Sequence, residues 1–171
     1  HPKRRKRKVS NSRTLALEQA YVHDVYSVLA ANPESVSSPF RKHVKQFLLN
    51  EFEPGSLLLD IGCGDGKYLN LSSDLIVFGL EHCAEWFNND RYRTSRDPQF
   101  LMVGNVLCLP FRDELFDGVL CCSVLHHIST LERRINALKE ISRILKIGGK
   151  LMLTVTSGPT DAKDIESQDV L

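Results

Sequence analysis

The stretch Leu57-Leu58-Leu59-Asp60-Ile61-Gly62-Cys63-Gly64-Asp65-Gly66-Lys67 constrains the fold more than any other part of this chain. Its apolar half reads as a short strand buried on both faces, the kind that belongs to a parallel sheet. Glycines at 62, 64 and 66 end that strand in a tight turn. Such a turn lets a ligand approach the backbone, and the helix expected after it presents free N–H groups. The spacing is G-x-G-x-G, one residue shorter than the G-x-G-x-x-G of dinucleotide sites, which argues against a nicotinamide enzyme. Alone, the motif is equally compatible with an ordinary glycine turn. Asp60 before the turn and Glu81 after the next strand shift the reading toward a nucleoside site.

Strand and helix alternate from there. Leu75–Leu80 reads as the second strand, ending at Glu81, and Phe100–Val103 as the third, followed by Gly104-Asn105. Phe116–Cys122 is the fourth, ending at Ser123, and Lys150–Thr156 the fifth. Residues 82–99 offer only a poor helix. Ser129-Thr130-Leu131-Glu132 has the form of a capping box with Ser129 as the cap. It opens a helix expected to bury Ile135, Leu138, Ile141 and Leu145 and to stop at Gly148-Gly149. Ahead of the sheet, Leu15–Ala30 and a segment begun by Ser38-Pro39 read as helices, the second burying Val44, Phe47 and Leu48. The pattern predicts an α/β fold with a doubly wound, mostly parallel sheet.

A chain of 171 residues fits one domain, and 42% apolar residues suffice for a core. Five cysteines, an odd number without a C-x-x-C pair, suggest free thiols rather than disulfides or a zinc site. The net charge of +1 hides an asymmetry: residues 1–13 hold seven of the 22 Lys and Arg and no acid. The other 158 residues carry 15 basic and 21 acidic groups, a formal −6. This arm, His1 to Arg13 with Lys3–Lys8 an unbroken basic run, is expected to be disordered. It reads equally as a linker, a nuclear-targeting signal in an otherwise cytoplasmic protein, or a phosphate-binding arm. An acidic body leaves much of any attraction to RNA to that arm, a partner or a further segment.

Leu59–Gly66, Glu81, Asn105 and Gly148-Gly149 together resemble a class I S-adenosylmethionine-dependent methyltransferase. Further blocks resemble the eukaryotic transfer-RNA wobble-uridine carboxymethyl methyltransferases: Glu18-Gln19-Ala20-Tyr21-Val22-His23-Asp24-Val25-Tyr26, Gly62–Leu69, Leu109-Pro110-Phe111-Arg112 and His126–Arg134. The likeness runs from about Leu17 to Val155. It divides the chain into the arm at 1–13, a methyltransferase domain at 14–156 and a polar, acidic tail at 157–171. Within the domain, cap helices occupy 14–50 and the sheet core 55–156. Four departures stand out. Glu81 and Asn105 occupy positions where the family has aspartate. Asn32–Ser38 replaces an H-F-S-x-T-R stretch, losing an arginine. After the fifth strand the family's W-A-x-E-Q and two more strands are replaced, so the last strands are expected to be missing.

The resemblance implies S-adenosylmethionine as cofactor. Gly62 and Gly64 would bring backbone against it, and Asp60 would support its amino-acid end. Glu81 would accept from both ribose hydroxyls, with His82 beside it. Asn105 would accept from the adenine amino group, and Val106 would add an N–H and an apolar flank. Ser123 and Val124 would lie at the crevice, under a lid of Tyr21, Val22 and Tyr26. The implied substrate is the wobble-uridine carboxymethyl group, oriented by His126 and His127, with Arg133 or Arg134 holding a phosphate or the carboxylate. Two structural alternatives stay open: one histidine packs in the core, and the arginines form a solvated helix face. A small zinc-binding activator subunit pairing with the third-strand edge is the implied partner beside transfer RNA. Two other functions stay open as well, a small-molecule methyltransferase and an inactive cofactor-binding module.

Overall fold

In the computed structural model, residues 15–16, 18–23, 41–88 and 100–155 are described. The expectations for the basic arm, residues 24–30, the Ser38-Pro39 cap, Tyr26, residues 89–99 and the tail at 157–171 lie outside them.

Five strands form one sheet: β1 Leu57–Ile61, β2 Ile76–Glu81, β3 Leu101–Val103, β4 Phe116–Cys122 and β5 Leu145–Thr154. All pairings are parallel, and the spatial order is β3-β2-β1-β4-β5. This is the expected doubly wound α/β sheet. The chain leaves β1 toward β2 on one side and reaches β4 on the other, so the crevice beyond the strand ends opens between β1 and β4.

Side-chain alternation sorts the strands into two cores. Leu59, Ile61, Val119 and Cys121 face one way and pack with Ala137, Ile141 and Ile144 of α2 (Leu131–Ile144). Leu58 and Leu120 face the other way, against Val44 and Leu48 of α1 (Arg41–Asn50), as that helix's apolar stripe predicts. Asp117, on β4, fastens the sheet's lower end. Its Oδ2 accepts from the Leu57 N–H at 2.9 Å and its Oδ1 pairs with Lys146 at 2.7 Å. The hydrogen bond from Lys146 holds the Asp117 carboxyl below its ordinary range.

Four local expectations need correction. The cap of α2 is Thr130, whose hydroxyl accepts from the Arg133 N–H at 3.3 Å. Ser129 lies one residue ahead of that cap, and its N–H and hydroxyl both donate to Glu18 instead. The buried face of α2 is rotated from the expected one. Ala137, Ile141 and Ile144 are fully buried, while Ile135 and Leu138 are 43% and 37% exposed. The helix also stops earlier, at Ile144, and Leu145 turns directly into β5. Gly148 and Gly149 instead lie in an excursion of β5, where register jumps from Phe116↔Leu145 to Gly118↔Lys150. Gly148 has φ +79°, a conformation that glycine adopts without strain. In the segment 18–23 the backbone forms a π-helical turn at Gln19–His23 rather than regular α-helix.

Candidate active site

The ends of β1, β2 and β4 open into one cavity of about 350 Å³. That lies within the range of small-molecule and cofactor sites. Its floor is the glycine turn. Gly62 has φ +73°, and a Cβ there would meet Val124 Cγ2 at 2.5 Å, so the turn closes directly onto the end of β4. Gly64, at φ +51°, would point a Cβ into open space, which leaves its backbone bare to the cavity. The N–H groups of Gly62 and Cys63 both donate to Leu80 O, tying the turn to β2.

Glu81 closes the side wall. It is 8% exposed, and three backbone N–H groups donate to its carboxylate. Gly64 reaches Oε2 at 3.0 Å, while His82 and Cys83 reach Oε1 at 2.8 and 3.0 Å. The methylene that glutamate adds over aspartate therefore lets one side chain bridge the turn after β1 and the turn after β2. A carboxylate has about four acceptor sites, so one on Oε2 remains for a ligand hydroxyl. The expectation that Glu81 accepts from both ribose hydroxyls did not count these backbone donors.

Asn105 lines the opposite wall, with Val106 and Leu107 beside it. Its Oδ1 accepts from the Leu107 N–H at 2.9 Å, forming an Asx turn that fixes the loop. Arg143 of α2 holds the same loop by donating to Leu109 O and Phe111 O. Ser123, at the end of β4, has φ +60°, and its N–H donates to Thr154 O and Thr154 Oγ1. A serine held in the left-handed region is a strained residue of the kind found at ligand sites.

Of the expected cofactor residues, Gly62, Gly64, Glu81, His82, Asn105, Val106, Ser123 and Val124 all border this cavity. Asp60 does not. It is 1% exposed, beneath the floor and close to Cys121 and Cys122. The backbone of Tyr21 lies in the π-helical turn, and its side chain is outside the described residues; Val22 of the same turn borders the cavity.

At the substrate end His127 and Arg133 border the cavity, and His126 does not. The two imidazoles pack against each other, with centroids 4.1 Å apart. Burial pushes the His126 pKa down, which favours the neutral ring at pH 7. Arg133 donates to Glu18 Oε2 at 2.6 Å. Arg134 turns away, donating to Ile128 O at 2.8 Å. Neither arginine is merely a solvated face.

Three residues of the cavity wall had no role in the sequence reading. Glu18, at the start of the Y-V-H block, is 7% exposed and gathers Ser129 and Arg133. Lys67 follows the glycine turn. Trp86, the chain's one tryptophan, is 3% exposed, and its indole N–H has no acceptor among the described residues. The thiols of Cys121 and Cys122 are pushed up to about 12 by burial, which removes them as nucleophiles near neutral pH. Among the described residues no group of three His, Cys, Asp or Glu is arranged to hold a metal, and no helix is long and apolar enough to cross a membrane.

A parallel sheet in this order, with a glycine turn after its first strand and an acid at the end of its second, defines a Rossmann-like nucleotide-binding methyltransferase fold. The family model described as "Methyltransferase domain" matches residues 59–153, and the chain belongs to that family, in its class I S-adenosylmethionine-dependent branch. It is 43% identical over 155 residues to "Probable tRNA methyltransferase 9B" of Bos taurus, covering 91% of this chain and 33% of that protein. It is 36% identical over 144 residues to the "tRNA (carboxymethyluridine(34)-5-O)-methyltransferase" of Arabidopsis thaliana, covering 83% of this chain and 34% of that one. The chain thus spans about a third of the length of these curated relatives. Among solved structures, it is similar to the complex of the Haloferax volcanii Trm112 methyltransferase activator with a methyltransferase. That match has a TM-score of 0.60 at 27% identity and covers 74% of this chain and 57% of that chain.

The residues present fit S-adenosylmethionine. The bare backbone face of Gly64 gives a cradle, the remaining lone pair of Glu81 gives a hydroxyl acceptor, and the cavity reaches from both to His127.

Proposed function

We propose that this chain is the methyl-transferring domain of an enzyme that esterifies the carboxymethyl group of a wobble uridine in transfer RNA. The observation that carries the reading is the continuity of one cavity from the Gly64–Glu81 cradle to His127 and Arg133. The Bos taurus relative is named as a tRNA methyltransferase and the Arabidopsis one as a tRNA carboxymethyluridine methyltransferase, which supports the reading.

When bound, S-adenosylmethionine supplies an electrophilic methyl group, with the carbon–sulfur electron pair leaving on sulfur. Glu81 and the bare face of Gly64 hold the nucleoside part, and Asn105 and Val106 border the base. A carboxylate is already ionised at neutral pH, so its oxygen needs no strong general base. The protein's task is to align that oxygen and to keep water out. His127 offers a ring nitrogen to the carboxylate, and neutral His126 backs it without adding a second full charge. Arg133 orients the anion.

The third-strand edge supports a partner. β3 pairs with β2 along one side, and Val103 is 54% exposed. An apolar edge of this kind invites an added strand. A small zinc-binding activator subunit, of the class named in the Haloferax complex, is the proposed occupant.

The test is nucleoside mass spectrometry on carboxymethyluridine-bearing transfer RNA incubated with S-adenosylmethionine, the chain and such a subunit. Appearance of the methyl ester, lost in His127→Ala with cofactor affinity retained, is the expected result. Methylation of a small acid with the RNA untouched would replace the reading by a small-molecule enzyme. Cofactor binding without transfer to any acceptor would leave an inactive binding module.

A further inference from the structure

We propose that Glu18 is a positioning residue that acts through Arg133, sharing the guanidinium so that it orients the substrate carboxylate without neutralising it. The inference rests on the ester-forming reading above.

Glu18 lies 111 residues from Ser129 and 115 from Arg133, yet its buried carboxylate joins them at the substrate end of the cavity. Oε1 accepts from the Ser129 N–H and hydroxyl, both at 2.8 Å. Oε2 accepts from Arg133 Nη2 at 2.6 Å. Both Glu18 and Arg133 border the cavity. The Arg133 side chain is 20% exposed, and its Nε–H is buried with no acceptor among the described residues. A guanidinium has five N–H donors, so this arginine is anchored at one nitrogen while keeping an unmet donor.

The chemistry gives that arrangement a purpose. The nucleophile's negative charge disappears as the ester forms. A full ion pair with Arg133 would then be stronger in the ground state than in the transition state, and would slow the reaction. A carboxylate already paired with the arginine leaves it able to orient the substrate by hydrogen bonds while weakening its hold as a charge. The Ser129 bonds keep Glu18 in place, so the pairing does not depend on substrate.

Glu18→Gln tests this, because glutamine keeps the size of the side chain and can still accept from Ser129. The probes are two anticodon hairpins, one with carboxymethyluridine and one with its methyl ester, titrated into the full chain with S-adenosylhomocysteine present. Freeing Arg133 should tighten the acid hairpin roughly tenfold and leave the ester hairpin unchanged, as expected for gaining a charged hydrogen bond. In turnover, kcat and KM should fall together, the signature of over-stabilised ground state. Both effects should vanish in an Arg133→Gln background. Equal weakening of both hairpins, or no change in either, would overturn the proposal and leave Glu18 a structural tie. If the unsubstituted chain binds the acid hairpin no better than one with plain uridine, the ester-forming reading itself fails. Glu18→Ala, with circular dichroism as the check on folding, separates loss of the tie from loss of charge: a folded variant should repeat the glutamine result, and one that weakens both hairpins alike counts against the proposal.

Discussion

Glu81→Ala should damage the fold and the cofactor site together, because one carboxylate serves both. Three backbone N–H groups donate to it, at 2.8 to 3.0 Å, from Gly64, His82 and Cys83. Cys83 is buried, so the loss of the Glu81 acceptor costs its N–H most. Gly64 is half-buried and His82 exposed, so water can replace more of what they lose. One buried donor that loses this acceptor and two partly rehydrated ones cost about 2–4 kcal/mol. With a urea dependence of roughly 1–3 kcal/mol per molar, the unfolding midpoint should fall by about 1–2 M. Trp86, three residues beyond Cys83 and the chain's one tryptophan, reports the transition by its fluorescence. Calorimetry with S-adenosylhomocysteine should show affinity lower by about 1.5–3 kcal/mol. Glu81→Asp, one methylene shorter, cannot span both turns and should fall between the two. A midpoint within about 0.5 kcal/mol of the parent, the scatter of ordinary surface changes, would refute the bracing argument even if affinity dropped.

Asp117→Asn should flatten the acid limb of the stability curve. The folded carboxyl is held below the ordinary 3.8, so its contribution is present above that value and lost as pH falls through the lower, folded pKa. The parent should therefore lose stability below about pH 4 more steeply than the variant, as read by urea midpoints between pH 2.5 and 7. For the proposed partner, co-expression with a Trm112-type subunit should raise soluble yield and give one joint peak in gel filtration. Val103→Lys on the β3 edge should abolish that peak, and a chain that ignores the subunit would remove the partner.

The sheet was legible in the sequence because its strands are short, apolar and separated by turn residues whose backbone demands are local. The floor and part of the walls of the cavity were legible too. Gly62, Gly64, Glu81, Asn105, Ser123 and Val124 all sit at strand ends, and a doubly wound topology brings those ends together. What tertiary structure decided are the places where distant segments compete for one group. Ser129 reads locally as a helix cap, but in the fold it is tied to Glu18, more than a hundred residues earlier, and Thr130 caps the helix. The buried face of α2 is the one that meets Leu59, Ile61, Val119 and Cys121 of the sheet, and it leaves Ile135 and Leu138 partly exposed. Gly148-Gly149 read as a helix stop, yet the pairing of β5 with β4 begins at Leu145 and consigns them to a bulge. Glu81 read as a carboxylate facing a ribose alone, yet the fold brings the backbone donors of two turns onto it. Local chemistry names the candidates for each bond, and only the packed fold determines which partner arrives.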